Sequence, residues 1–172
     1  MNIEEMLYDL PQACDYGTKV SSTGHKITWK GYKLHIDTAD GDIPVSCILT
    51  AASVHDSQAA IPLSLITFKR VLNFSALMDS AYDAAVIRAH TISLGQIPLI
   101  DFNHRGPKDE RAFDPHEAQR YKERSAAERV NSQLKDNFGG RFIRVRGSKK
   151  VKAHLMFGIL ALTVNQIFRL IT

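Results

Sequence analysis

Cysteine is scarce in this chain, and the little that is present forms no metal-binding pattern. The two cysteines, Cys14 and Cys47, stand far apart and belong to no CxxC or Cys/His motif. The sequence therefore predicts neither a zinc site nor a disulfide framework. We expect both side chains to be plain thiols in a reducing compartment.

Long apolar runs are lacking as well. The most apolar window, LMFGILALTV at residues 155–164, is far shorter than the ~20 residues that span a bilayer. The N-terminal MNIEEMLYDLPQA carries acids and lacks the basic and apolar layout of a signal peptide. We therefore expect a cytoplasmic protein without a membrane partner, in which the apolar window belongs to a core helix.

No charge of one sign dominates, since the formal net charge is only +4, but the cations are unevenly placed. Between Arg105 and Lys152 lie 14 of the 22 lysines and arginines, against seven acids. A basic excess in one half of the chain indicates a polyanionic partner, with nucleic acid as the first candidate. A solvated charged surface explains the same composition equally well.

The apolar patterns predict a single α/β domain over residues 1–172. Residues 1–30 contain many turn formers, and we expect them to form an irregular lead-in. YKLHIDTA alternates apolar and polar side chains, and a DGD turn joins it to IPVSCILTAA, which predicts a β-hairpin. In this hairpin Asp37 is expected to be exposed to solvent.

Helices and strands alternate after the hairpin. HDSQAAIPLSLITFKRVL and AYDAAVIRAHTISLG read as helices, and FSALMD and IPLID as short strands. A polar loop at residues 103–116 leads into a long helix over 117–137. The short extended RFIRVRG then precedes a last helix over 149–170. This order predicts a mixed β-sheet flanked by helices.

Two acids directly follow strand-like segments. Asp79 ends FSALMD and Asp101 ends IPLID. Ligands gather outside the carboxyl ends of strands in α/β sheets, which favours a functional role for such acids. On position alone, capping of the helix that follows is the favoured interpretation of each acid.

The stretch YKERSAAERVNSQLK places four polar residues on one side of a helix. At 100° per residue, Tyr121, Arg124, Glu128 and Lys135 fall within an arc of roughly 60°. A carboxylate among cations suits phosphodiester chemistry, in which acids hold divalent metals and cations neutralise phosphate. An exposed set of helical salt bridges would show the same pattern.

These residues carry a resemblance to a known family. YKERSAAERVNSQLK fits the signature Y-x2-R-x3-E-x6-K without a gap, and LMDSAYD resembles the second-aspartate motif that accompanies it. The hairpin KGYKLHIDTADGDIPVSCILTAASVHDSQ and the closing FGGRFIRVRGSKKVKAHLMFGILALTVNQIFRL are also similar. The chain thus resembles bacterial insertion-sequence transposases of the DDE type, which have an RNase H-like catalytic domain.

The resemblance implies an enzyme that cuts and joins DNA strands. Asp79 matches the second aspartate and Glu128 the glutamate, and in the family these acids bind two Mg²⁺ or Mn²⁺ ions. Tyr121, Arg124 and Lys135 match the accompanying tyrosine, arginine and lysine, which would contact DNA near the cut. The implied partners are transposon ends and target DNA at the bacterial nucleoid, bound by a homo-oligomer. We expect further phosphate contacts from the basic run after Gly140, which includes Arg141, Arg144 and Arg146.

The first aspartate of the family, which lies on an apolar first strand, has no counterpart in the sequence. The nearest candidates are Asp9 and Asp15, and neither has an apolar strand before it. Asp37 on the hairpin could also be taken for the first aspartate, but its Asp-Gly turn context favours exposure to solvent. We therefore expect an N-terminally truncated transposase, with its first strand missing and an upstream fragment as a possible partner. Two carboxylates hold a pair of metal ions poorly, so we expect little or no strand transfer by this chain alone. The alternatives are an inactive remnant that binds DNA without cleaving it, and a structural interaction domain.

Overall fold

The fold is mixed α/β, as expected, in a computed structural model that describes residues 2–21, 23–104 and 111–171. The strands are β1 (Asp15–Val20), β2 (Lys26–Ala39), β3 (Ile43–Ala51), β4 (Ser75–Met78) and β5 (Ile97–Ile100). The helices are α1 (Ile3–Asp9), α2 (Asp56–Phe68), α3 (Ala85–Ser93), α4 (Pro115–Tyr121), α5 (Ser125–Asn137) and α6 (Ser148–Ile171). Short 3₁₀ turns follow β4 (Ser80–Tyr82) and α4 (Lys122–Arg124). The architecture is compatible with an RNase H-like fold.

The strands are divided between two sheets. Strands β1, β2 and β3 form an antiparallel sheet in that order, and β4 pairs with β5 in parallel. Strand β2 has two halves: residues 26–31 pair with β1, and residues 32–39 pair with β3. The predicted hairpin is therefore confirmed, and the mixture of pairing directions arises from two sheets rather than from one.

The alternation along β2 separates an apolar face from a polar face. Leu34 and Ile36 pack with the core residues that α5 and α6 contribute. Lys33, His35 and Asp37 alternate with them and contact α2 and the residues around it. The sheet is thus covered by helices on both faces, and its polar residues are enclosed rather than solvated.

Asp37 is therefore not exposed to solvent as the Asp-Gly turn context predicted. Its carboxylate accepts a hydrogen bond from the Thr67 hydroxyl at 2.5 Å, and the Thr67 hydroxyl also lies 2.6 Å from that of Ser46. Burial raises the pKa of Asp37 above its ordinary value. The prediction failed because it took the polar face of the hairpin to be the outer face, whereas α2 covers that face.

The N-terminal segment is more regular than the predicted irregular lead-in over residues 1–30. Helix α1 begins with a capping box, in which Asn2 and Glu5 bind each other's backbone N–H groups at 2.8 Å. Strand β1 pairs with the first half of β2, and Gly17 admits the ring of Trp29 where a Cβ would lie only 2.5 Å from it. Both elements lack the apolar periodicity on which the prediction relied.

The predicted long helix at 117–137 is two helices. Helix α4 already begins at Pro115, after an Asp114–Glu117 capping box, and a 3₁₀ turn separates it from α5. Part of the predicted loop at 103–116 lies outside the described residues. The short extended segment after Gly140 pairs with no strand in the described part of the chain.

Helix α6 packs one face into the core. Its buried residues are Val151, Leu155, Gly158, Leu162 and Gln166. The apolar window at 155–164 thus belongs to a helix that contributes to the core, as expected, although Phe157 and Leu160 remain exposed. By length and composition alone α6 could also cross a membrane, with a mean hydropathy of 1.5 over 18 residues, 22% of them buried. Core helices of soluble proteins commonly meet this criterion.

Candidate active site

Two acids meet where β4 and β5 end. Met78 is aligned with Ile100 in the parallel pair, so Asp79 and Asp101 follow at equivalent positions of adjacent strands. The Asp101 N–H donates to the Met78 carbonyl at 3.0 Å, which extends the pairing to this point. The carboxyl ends of the strands thus present two carboxylates at one edge.

Asp79 also performs the local capping role that the sequence left open, whereas the described residues directly after Asp101 form no helix. Asp79 Oδ1 accepts a hydrogen bond from Ala81 N at 3.0 Å and starts the 3₁₀ turn. Asp101 Oδ1 accepts from Phe102 N at 2.9 Å. One such hydrogen bond occupies only one of the roughly four acceptor positions of a carboxylate. Capping therefore orients Asp79, which is exposed, without preventing it from binding a ligand.

Tyr121 fastens the end of α4 to this edge. Its hydroxyl donates to the Met78 carbonyl at 3.1 Å, one residue before Asp79, and its ring packs 4.8 Å from that of Phe113. Burial raises the pKa of Tyr121, although the nearby Arg124 acts to lower it. The phenol therefore stays protonated and remains a donor at neutral pH.

Arg124 links Tyr121 to Glu128. Its guanidinium lies 5.8 Å from the centre of the Tyr121 ring and donates to Glu128 Oε1 at 2.7 Å. The Glu128 side chain is 63% exposed. The salt-bridge interpretation of this helix face is thus correct for Arg124 and Glu128, and the carboxylate remains accessible to solvent.

A single cleft of about 880 Å³ is lined by both Asp79 and Glu128. Asp79 lines it from the end of β4, and Arg124 and Glu128 line it from the start of α5. Tyr121 does not line the cleft itself, but its hydroxyl is hydrogen-bonded to Met78, which does. Two carboxylates that are 49 residues apart in sequence thus share one solvent-accessible site with an arginine.

A family comparison decides which class of protein carries this site. The model of the transposase DDE domain matches residues 9–164. The chain belongs to the transposase DDE domain family. Its recognition as an insertion-sequence DDE transposase is thereby confirmed. No curated protein and no solved structure matches the chain. Membership implies a transposition enzyme in general terms, DNA as a partner and divalent metal ions as the usual cofactor.

The other predicted DNA-contacting residues of this transposase domain lie outside the cleft. Lys135 is exposed two turns after Glu128 on α5. Arg141 pairs with Asp136, and Arg144 and Arg146 are exposed on the connection to α6. The structure therefore gives two basic regions, one at the cleft and one beside the end of α5.

Asp15, the nearest candidate for a first aspartate, is not brought into the cleft. It begins β1 and accepts hydrogen bonds from the Ser53 hydroxyl and, at 3.0 Å, from Ser53 N. The Ser53 hydroxyl bond holds the pKa of Asp15 below its ordinary value. In this position the carboxylate fixes β1 to the segment that follows β3.

Three residues that sequence reasoning did not assign to the site line the same cleft. Asp37 and Tyr82 lie on its α2 side, where burial and the charges of Asp56, Asp79 and Asp37 raise the pKa of Tyr82 well above its ordinary value. Arg120 binds Asp40 at 3.0 Å and the Ser75 hydroxyl at 3.3 Å. Arg120 lies four residues before Arg124, a one-turn spacing that could have indicated a place for Arg120 beside the site. The break between α4 and α5 interrupts this helical spacing.

Asp79 and Glu128 are oxygen ligands of the kind that bind a hard cation together with a phosphate. In the described ranges no group of three or more His, Cys, Asp and Glu side chains is placed to hold a metal ion. Mg²⁺ is commonly bound by one or two carboxylates together with substrate phosphates and water. Asp79 and Glu128 supply the number of carboxylates that this mode uses for one ion, whereas the two-ion arrangement expected from the resemblance needs a further ligand.

Proposed function

We propose that this transposase domain contributes Asp79 and Glu128, at the cleft between β4 and α5, to a site that cuts and joins DNA strands by metal-dependent phosphodiester transfer, a site that is incomplete in this chain alone. The observation that supports the proposal is that Asp79 and Glu128 line the same open cleft. The two carboxylates come from separate elements and Arg124 lies beside them. This combination provides oxygen ligands for a divalent cation and a fixed positive charge for a phosphate.

Each residue then has a distinct part in the site. Asp79 and Glu128 would hold Mg²⁺ or Mn²⁺, which supplies Lewis-acid polarisation of the scissile phosphate. Arg124 turns from Glu128 towards a phosphate oxygen when DNA enters, because its guanidinium can serve both partners. Tyr121 keeps Asp79 and the helix pair in register through the Met78 carbonyl.

Binding of the DNA backbone outside the cleft falls to the second basic region. Arg144 and Arg146 are exposed beside the end of α5, and Lys135 and Arg141 lie on the same part of the chain. Exposed cations of this kind make phosphate contacts, which position DNA without reading its sequence. We infer that transposon ends and target DNA bind here, with two or more copies of the chain acting on paired ends.

A second candidate function is DNA binding without cleavage. It is favoured by the limited ligand set, since two carboxylates hold a pair of metal ions poorly. A third candidate, a structural interaction domain, would need neither metal nor DNA. The three candidates differ in two measurable properties, salt-dependent DNA binding and Mn²⁺-dependent nicking.

The test uses supercoiled plasmid with Mn²⁺ and a labelled duplex whose binding is followed at several salt concentrations. Glu128→Gln keeps the shape and an acceptor for Arg124 but removes the charge, and Glu4→Gln on the distant, exposed first turn of α1 is the matched control. Nicking that is lost in Glu128→Gln and retained in Glu4→Gln supports cleavage. Binding that weakens steeply with salt, without nicking, favours the second candidate. Binding that is absent or insensitive to salt favours the third.

A further inference from the structure

Strand β1 and the first half of β2 form a two-stranded ribbon with one exposed face. Residues that oppose each other in an antiparallel pair project from the same side of the sheet. One side of the ribbon therefore carries Tyr16, Thr18 and Val20 of β1 and their partners Lys30, Thr28 and Lys26 of β2. All six side chains are exposed, and none of these six residues lines the cleft that contains Asp79 and Glu128. These six residues are the ribbon face.

The ribbon face lies in a stretch of the chain that contains no acid. Between Asp15 and Asp37 the sequence has four lysines and two histidines and neither aspartate nor glutamate. Lys30 lies with its Nζ 5.4 Å from the centre of the Tyr16 ring, and neither Lys26 nor Lys30 forms a salt bridge with an acid in the described part of the chain. The lysine charges are therefore uncompensated, and the ribbon face complements a polyanion.

The ribbon is fixed by contacts at both ends. At its base Gly17 packs against the Trp29 ring and the Ala52 carbonyl, since a Cβ on this glycine would lie only 2.5 and 2.6 Å from them. At its tip the Ser21 N–H donates to the His25 carbonyl at 2.8 Å and so closes the turn. The paired strands between these points present the ribbon face in a fixed arrangement, so little conformational entropy is lost when a partner binds.

We propose that the ribbon face binds in the major groove of duplex DNA, as a surface separate from the cleft. The major groove is about 12 Å wide and admits a two-stranded β-ribbon. The six residues of β1, at about 3.4 Å each, give the ribbon a length of about 20 Å, which corresponds to roughly six base-pair steps. Both the charge and the shape of the ribbon therefore fit a duplex.

The side chains of the ribbon face are of the types that contact base edges. Lysine donates to guanine O6 and N7, threonine hydroxyls bond to bases, and threonine methyl groups contact the methyl group of thymine. The hydroxyls of Thr18 and Thr28 lie 3.5 Å apart, and each has hydrogen-bonding capacity left for a base or a phosphate. We therefore expect this surface to contribute sequence preference, which phosphate contacts alone do not give.

The opposite side of the ribbon borders the candidate active site. Lys19, which alternates with the ribbon-face residues Thr18 and Val20 along β1, lines the cleft. DNA on the ribbon face is therefore bound next to the cleft, but it is a different segment from the one whose phosphate enters the cleft. The choice of DNA as the partner rests on the proposed function, whereas the ribbon contact requires neither a metal ion nor cleavage.

The test compares binding of the full chain to two labelled duplexes of one sequence, in EDTA so that no cleavage occurs. In the second duplex the cytosines carry a glucosyl group on a C5 hydroxymethyl, which fills the major groove and leaves the phosphates unchanged. We expect the wild type to bind the glucosylated duplex at least about tenfold more weakly. Lys26→Ala combined with Lys30→Ala should weaken binding to the unmodified duplex and abolish this difference. Equal binding of the two duplexes by the wild type would overturn the proposal.

The matched control removes the same charge elsewhere. Lys149→Ala combined with Lys150→Ala changes two exposed lysines at the start of α6, and this variant should keep the difference between the duplexes. A difference that persists in the ribbon variant, or that disappears in the control, would also overturn the proposal. Because neither duplex is cut under these conditions, a failure of the ribbon contact and a failure of metal-dependent nicking are separate results.

Discussion

The hydroxyl of Tyr121 donates a hydrogen bond to the backbone carbonyl of Met78 across 3.1 Å. This bond joins the last residue of α4 to the last residue of β4. Asp79 follows Met78 directly, and Glu128 lies two turns beyond Tyr121 on the other side of the 3₁₀ turn. The relative position of the two candidate metal ligands therefore depends on a tyrosine that does not itself line the cleft.

Tyr121→Phe removes this bond while keeping the ring against Phe113. We expect the free energy of unfolding to fall by about 1 kcal/mol, since the Met78 carbonyl loses one of its two donors. Metal affinity at Asp79 and Glu128 should fall as well, because their separation becomes less fixed. Urea unfolding and Mn²⁺ titration measure the two effects. Tyr8→Phe, at a side chain that is 88% exposed, should change neither, and an equal loss in both variants would contradict the assignment.

Much of the candidate site could be predicted because its residues sit at ends of elements. Asp79 ends an apolar run, and Glu128 lies one helical turn after Arg124. Such positions are visible in a single sequence, since strand ends and helix faces follow from local periodicity. The meeting of the two acids in one cleft could be expected only from the family resemblance.

The remaining features depend on contacts between distant segments. Strand β1 has little apolar periodicity and exists through its pairing with residues 26–31. Whether Asp37 is solvated depends on α2, which begins 19 residues later in the sequence and covers the polar face of β2. The division of five strands into two sheets likewise reflects pairing partners, which local pattern does not encode.

Asp37→Asn should change how stability depends on pH. Because burial raises the pKa of Asp37 in the folded state, the folded protein binds this proton more tightly than the unfolded chain does. Its contribution to stability is therefore present at low pH and lost as pH rises through the raised pKa. The asparagine still accepts from Thr67 but does not ionise. We expect the stability of the variant to rise relative to that of the wild type as the pH increases through the raised pKa of Asp37, as measured by urea unfolding. A difference in the free energy of unfolding between variant and wild type that does not change with pH would contradict the prediction.

Replacing the exposed arginines beside α5 should alter the electrostatics of DNA binding. Each of Arg144→Ala and Arg146→Ala should reduce the slope of log affinity against log salt by about 1, because one phosphate contact is lost. The loss should be similar for DNA duplexes of unrelated sequence, as expected for phosphate contacts. Fluorescence anisotropy at several salt concentrations measures the slopes. Lys69→Ala, an exposed residue that follows α2, serves as the control, and equal slopes in all variants would show that this region does not bind DNA.

Gly158 allows α6 to approach the end of α5. A Cβ at this position would overlap the Phe138 carbonyl and lie 3.0 Å from Leu134 Cδ1. Gly158→Ala gains about 1 kcal/mol of helix propensity, but overpacking against backbone costs about 1–3 kcal/mol. We expect a net loss of about 1 kcal/mol in the free energy of unfolding, measured by urea denaturation. The neighbouring Phe157→Ala changes a side chain that is 74% exposed and should have a smaller effect. A more stable Gly158→Ala variant would show that the two helices can separate without cost, and that α6 is not fixed to α5 by close packing.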